Sequence, residues 1–165
     1  MALSLQSYPI QKIDAETYGF ITTKGIEYRC SFISYAEYFV NVPIVAPYFF
    51  SFNLELKDKR VKLPNGADKR IADTVIGIVG DFLSSKTNAV VYVCDNSDSK
   101  EAARARKFLS WFDYYEHPSR NIIQVSNNFN AGGMLIYSCL LLHKKNKRFN
   151  DMILAYLELT KEEDK

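Results

Sequence analysis

Apolar and polar side chains alternate weakly from Tyr18 to Thr22 and strictly from Ile26 to Phe32, where Tyr28 and Cys30 are separated by Glu27, Arg29 and Ser31. A period of two belongs to a strand with one wet face. Glu16 to Thr23 and Ile26 to Ile33 therefore predict a hairpin that turns at Lys24-Gly25, where glycine supplies the positive φ. Tyr48 to Leu56 repeats the alternation, with Phe50, Phe52, Leu54 and Leu56 on one face, and predicts a third strand. Between these strands Ser34 to Pro47 has no period. It carries Tyr35, Tyr38, Phe39, Val40, Val42, Ile44 and Val45, interrupted by Pro43. So apolar a connection either folds back over the sheet or offers a patch to a partner.

From Lys69 to Ser84 the period lengthens. Ile71, Val75, Ile78, Val79, Phe82 and Leu83 fall on one side of a helix that Asp68 can cap. Gly77 and Gly80 project from the other side beside Asp73. Each costs about 1 kcal/mol relative to Ala in a helix, so they are either tolerated or mark the close approach of another helix or chain. Asn88 to Cys94 is an apolar, β-branched run that predicts a central strand covered on both faces.

Asp95-Asn96-Ser97-Asp98 then predicts a turn, and Asp98 with Glu101 has capping-box spacing for a helix carrying Ala105, Phe108, Leu109, Trp111, Phe112 and Tyr115 on one side. Arg104 falls on that apolar side. It is either an internal ion-pair partner of Glu101, Asp95 or Asp98, or an anion-binding group beside the free N–H groups of the helix N-terminus. His117-Pro118 breaks the helix. Asn121 to Ser126 and Met134 to Leu142 predict a hairpin around a turn at Asn127 to Gly133. After a polar connection from His143 to Arg148, Asn150 can cap a last helix lined by Met152, Tyr156 and Leu159.

The order β-β-β-α-β-α-β-β-α predicts an α+β fold. One mixed, mostly antiparallel sheet carries helices packed mainly on one face, and residues 1–165 form a single globular domain with short frayed termini. At 165 residues, with 47% hydrophobic and 24% charged residues, the chain needs no disulfide or metal to build a core. The three cysteines, Cys30, Cys94 and Cys139, are odd in number and sit in strand-like runs, which points to reduced, buried thiols and a cytoplasmic setting. Met1 to Pro9 lacks a basic stretch followed by a long apolar core, which argues against a secretory leader. The longest apolar run, Met134 to Leu142, is too short to cross a membrane as a helix.

A formal net charge of +2 gives no general case for nucleic acid. The densest basic cluster, Lys144, Lys145, Lys147 and Arg148, is either a solvated turn or a weak phosphate contact extended by Arg120. There is no Gly-rich phosphate loop, no zinc-type Cys spacing, no His-Glu-x-x-His and no nucleophile elbow. No cofactor or metal is expected. Cys94 with His117, or Cys139 with His143, leaves a Cys-His nucleophile formally open, although thiols in apolar runs are normally inert.

Several spaced residues form a pattern when read together: Tyr18-x-Phe20-x-Thr22-x-x-Gly25-x-x-Tyr28, then Asp68-x-Arg70-Ile71-x-x-Thr74-Val75, then Tyr92-x-Cys94-Asp95-x-x-Asp98 with Arg104-x-Arg106-x-Phe108-x-x-Trp111-Phe112. From Tyr18 to Leu142 the chain resembles a family of small uncharacterised bacterial proteins classed only as a domain of unknown function, and the resemblance implies no activity. Three functions stand as expectations. The first is a non-enzymatic intracellular binding or regulatory module, with a protein partner or self-association through Tyr35, Tyr38 and Phe39 or through the Gly77 and Gly80 face. The second is a phosphate- or nucleotide-directed binder or enzyme centred on Asp95, Asp98 and Arg104. The third is a weak nucleic-acid binder.

Overall fold

The computed structural model describes residues 7–58, 60, 68–94 and 121–163. Eight strands are present among them: β1 Gln11–Asp14, β2 Thr17–Ile21, β3 Glu27–Ser34, β4 Phe49–Leu56, β5 Ala89–Cys94, β6 Ile122–Ser126, β7 Phe129–Ala131 and β8 Met134–His143. Two α-helices accompany them, α1 Lys69–Leu83 and α2 Phe149–Glu163, and 3₁₀ turns cover Ala36–Phe39 and Ala46–Tyr48. The sheet runs β1-β2-β3-β4-β5-β8-β6, with β7 also on β8. Every pairing is antiparallel except β4 with β5. The α+β class and the mixed, mostly antiparallel sheet are as the periodicity predicts.

The first hairpin closes as expected. Gly25 has φ 80° and its N–H donates to the Thr22 carbonyl at 2.9 Å. Helix α1 starts where the sequence places its cap, because Asp68 Oδ1 accepts the Arg70 N–H at 2.9 Å and Oδ2 accepts the Tyr8 hydroxyl at 2.5 Å. The cap therefore also ties down the segment that leads into β1, and Arg70 stacks over the Tyr8 ring at 3.9 Å.

Alternation along β5 and β8 divides the core in two. Val90, Cys139 and Leu141 face the α1 side, where Tyr18, Phe20, Cys30, Phe32 and Phe52 meet Val75, Ile76, Ile78, Val79 and Phe82. Phe32 and Phe82 stack there at 3.9 Å between centroids. Ala89, Val91, Leu140 and Leu142 face the other side, where Phe49 and the 3₁₀ segments meet Met152, Ala155 and Tyr156 of α2. The two described helices thus lie on opposite faces, not mainly on one. The reason is in β5 and β8, whose unbroken apolar runs leave both faces to be covered.

Three local differences have equally simple causes. β1 is a short edge strand, exposed along its whole length, with no apolar alternation to announce it. The predicted turn from Asn127 to Gly133 contains β7, and the reversal itself is made by Gly132 (φ 58°) and Gly133 (φ 81°). α2 begins before Asn150. The chain is turned into it by the buried Asn146, whose Oδ1 accepts the Arg148 N–H at 2.8 Å while its amide donates to the Asn88 carbonyl at 3.2 Å.

Candidate functional site

The apolar connection between β3 and β4 is held at both ends. The Tyr35 N–H donates to the Phe49 carbonyl at 2.8 Å, and the 3₁₀ turn that follows sends successive aromatic residues in opposite directions. Phe39 points inward, 2% exposed and stacked on Phe49 at 3.7 Å with the rings 8° from parallel. Tyr38 points outward, 50% exposed, and stacks on Tyr35 at 4.3 Å. Phe39, expected on a partner surface with Tyr35 and Tyr38, is instead core. Val45 and Ala46 are buried with it, whereas Val40 and Ile44 are each 70% exposed.

This segment and α2 form the walls of an apolar groove of about 490 Å³. One wall is Tyr38, Asn41, Val42, Pro43 and Ile44, with Phe39 and Val45 at the base. The other wall is Asp151, Leu154, Ala155, Glu158 and Leu159, a single stripe of α2 at helical spacing. Leu154 is 61% exposed. A shallower depression of about 550 Å³ beside Asp14, Glu16, Thr17 and Ser31 has no comparable apolar lining. Of the α2 wall, a reading of the sequence that follows Met152, Tyr156 and Leu159 finds only Leu159. The signal that could have found the rest is Leu154, an apolar residue off that buried stripe.

A second feature lies inside the sheet. The ladder between β4 and β5 pairs Phe49 to Ser51 with Ala89 to Val91 and stops there, although β4 continues to Leu56 and β5 to Cys94. The antiparallel ladders on either side fix which backbone groups face the gap. Bonds from Tyr35 N–H to Phe49 O and from Lys57 N–H to Glu27 O turn the odd-numbered residues of β4 toward β3, so the N–H and C=O of Leu54 point toward β5. Bonds from Asn127 N–H to Ser138 O and from Lys144 N–H to Asn121 O set the alternation of β8. By that alternation the N–H and C=O of Val93 point toward β4. No described strand fills the fork between Leu54 and Val93.

The basic turn is built from two connections. Lys144, Lys145 and Lys147 are exposed, and Arg148 lies 5.7 Å from the Tyr48 ring. The Lys147 N–H donates to the Lys86 carbonyl at 3.0 Å, bringing in Lys86, a cation that sequence spacing does not associate with this cluster. Partial burial, and then Lys86, Lys144 and Lys145, push the His143 pKa below its ordinary value.

Asp95, Asp98, Glu101 and Arg104 lie outside the described residues, as do His117 and Arg120. The structure therefore describes no geometry for the ion pair or anion site expected there. Cys139 is buried, and His143 lies four residues along the same strand, about 13 Å away at strand rise, so β8 does not bring them into contact. Gly77 approaches Ile10, to which an added Cβ would come within 3.6 Å, and no described residue comes that close to Gly80. Among the described residues no group of His, Cys, Asp and Glu is placed to hold a metal ion, and no helix is long and apolar enough to cross a membrane.

No curated protein matches the chain. A solved structure with some likeness is that of a CoA-dependent acyl-homoserine lactone synthase, MesI, covering 84% of this chain and 71% of that one at 12% identity. The TM-score of 0.38 is too low to transfer either fold or activity. Residues 67–158, more than half the chain, match the family described as "Family of unknown function (DUF6169)". The segment so matched runs from the cap of α1 through the fork strand β5 to the α2 wall of the groove, and the chain belongs to that family.

Proposed function

We propose that the chain is a non-enzymatic binding or regulatory module that acts by protein contact, and that the groove between Tyr38 to Val45 and α2 is its contact surface. The observation that carries this reading is the concentration of exposed apolar side chains there: Tyr38, Ile44 and Leu154 are each at least half exposed. Such a cluster on one side of a small protein loses contact with water when a partner covers it. Tyr38 is the best anchor, being aromatic and already ordered by stacking on Tyr35. Ile44→Asp with Leu154→Asp should leave the thermal melt within a few degrees of wild type, since both side chains are largely in water. Proteins captured from the native cell by wild type should be lost by the variant. A variant that captures the same proteins equally well would sink the reading.

A second reading rests on the fork. The edges of Leu54 and Val93 would complete a ladder with an extended, amide-bearing chain laid between them, which is strand addition inside a sheet. This reading suits a small-molecule ligand with peptide-like amides and sits at the end of β5 that leads to Asp95. The test follows backbone amide resonances with a glycine tripeptide, pantetheine and ADP in turn. Shifts at Leu54 and Val93 with the two amide-bearing probes and not with ADP are expected. Unmoved resonances at both positions with all three would dismiss the fork as a ligand site.

A further inference from the structure

We infer that the groove takes an amphipathic helical segment of a partner whose apolar anchors are flanked by Lys or Arg. The inference rests on the reading of the groove as the contact surface and adds the chemistry of its occupant. α2 presents Asp151, Leu154, Ala155, Glu158 and Leu159 to the groove, at i, i+3, i+4, i+7 and i+8. Exposed Leu154 therefore sits between two carboxylates that are about 10 Å apart along the helix axis. Neither carboxylate has a described cation within ion-pair distance. The facing wall, Tyr38, Asn41, Val42, Pro43 and Ile44, is uncharged.

An apolar trough of two helical turns with a carboxylate at each end fits a helix laid alongside α2. That helix would bury apolar residues at helical spacing and carry cations one turn to either side of them. The same charges argue against the other occupants. Across a two-fold axis Asp151 and Glu158 would meet their own copies, and the groove lining offers no cation to offset them. An anionic lipid surface would face the same repulsion.

The test uses the full chain against a display library of 16-residue peptides. Apolar residues are fixed at i, i+3, i+4 and i+7, and Lys, Glu and Gln are equally represented at the flanking positions. Enriched peptides are expected to carry Lys at the flanks and to bind more weakly as salt rises. They should not bind Leu154→Asp. Asp151→Asn with Glu158→Gln should weaken them about three- to ten-fold at low salt and abolish the preference for Lys. Enrichment of Glu- or Gln-flanked peptides that still depend on Leu154 would overturn the inferred occupant and leave the groove reading standing. If no enriched peptide depends on Leu154, the groove reading itself falls. Self-association lost in Leu154→Asp, measured by sedimentation at low salt, would assign the groove to a second copy and overturn the inference.

Discussion

Phe39→Ala should destabilise the protein by about 3–5 kcal/mol, the usual cost of emptying a packed aromatic site, while its neighbour Tyr38→Ser should cost less than about 1 kcal/mol. Phe39 is 2% exposed, stacked flat on Phe49 and packed in the cluster that holds Met152 and Tyr156. Its loss therefore leaves a cavity between the 3₁₀ segment and α2. Tyr38 is half in water, and its partner Tyr35 keeps its own contact with Phe39 at 6.3 Å between centroids. Urea denaturation of the two single variants measures the difference directly. Equal destabilisation by both, or none by Phe39→Ala, would contradict the placement of this segment. The pair should not be replaced together in a binding study, because unfolding would then imitate loss of a contact.

The second large effect is alkaline. Burial pushes the Cys30 thiol from its ordinary 9.0 up to about 12. Burial likewise raises the Tyr156 phenol to about 12, although a hydrogen bond with Ser138 opposes the shift. Tyr18 moves the same way, by burial and then by its bond to the Asp81 carboxylate. In each case the folded chain keeps a proton that the unfolded chain releases, so the stabilisation is complete below the unfolded pKa. It is lost as pH climbs through the folded one. Stability should hold level to about pH 9, where Cys30 begins to act. From there to pH 11 it should fall by about 4 kcal/mol, at roughly 1.4 kcal/mol per pH unit over two units for Cys30 and one for Tyr156, with Tyr18 adding in the same direction. Cys30→Ala should delay the onset to near pH 10. Denaturation midpoints that stay constant from pH 8 to 11, or a variant that loses stability in step with wild type, would show that these groups do not govern it.

How much of this was legible in the sequence depends on whether a residue's fate was local. Period-two runs at Ile26 to Phe32 and Phe50 to Leu56 placed β3 and β4 within a residue or two, and the Asp68 cap placed the start of α1. β1 was illegible, because Gln11-Lys12-Ile13-Asp14 is wet throughout and owes its pairing to β2 alone. The opposite fates of Tyr38 and Phe39 were illegible too. The two are adjacent and aromatic, and only the 3₁₀ turn decides which enters the core. The helix on the second face was written in β5 and β8, whose apolar runs were too continuous for a sheet covered on one side. Leu154 alone hints at the groove in the sequence, and the fork has no sequence signature. The first needs α2 against a loop more than 100 residues earlier, and the second is the early end of a ladder.

The placement of α1 bears on what the family segment can do alone. Residues 67–158 hold the helix, but Tyr18, Phe20, Cys30, Phe32 and Phe52, against which its apolar stripe packs, all precede them. A protein cut to that segment would carry α1 with only Val90, Ile122, Cys139 and Leu141 of the buried core beneath it and β5 with a bare edge, and both invite aggregation. Any recombinant fragment, domain boundary or circular rearrangement of this chain must therefore carry β2, β3 and β4 with the matched region.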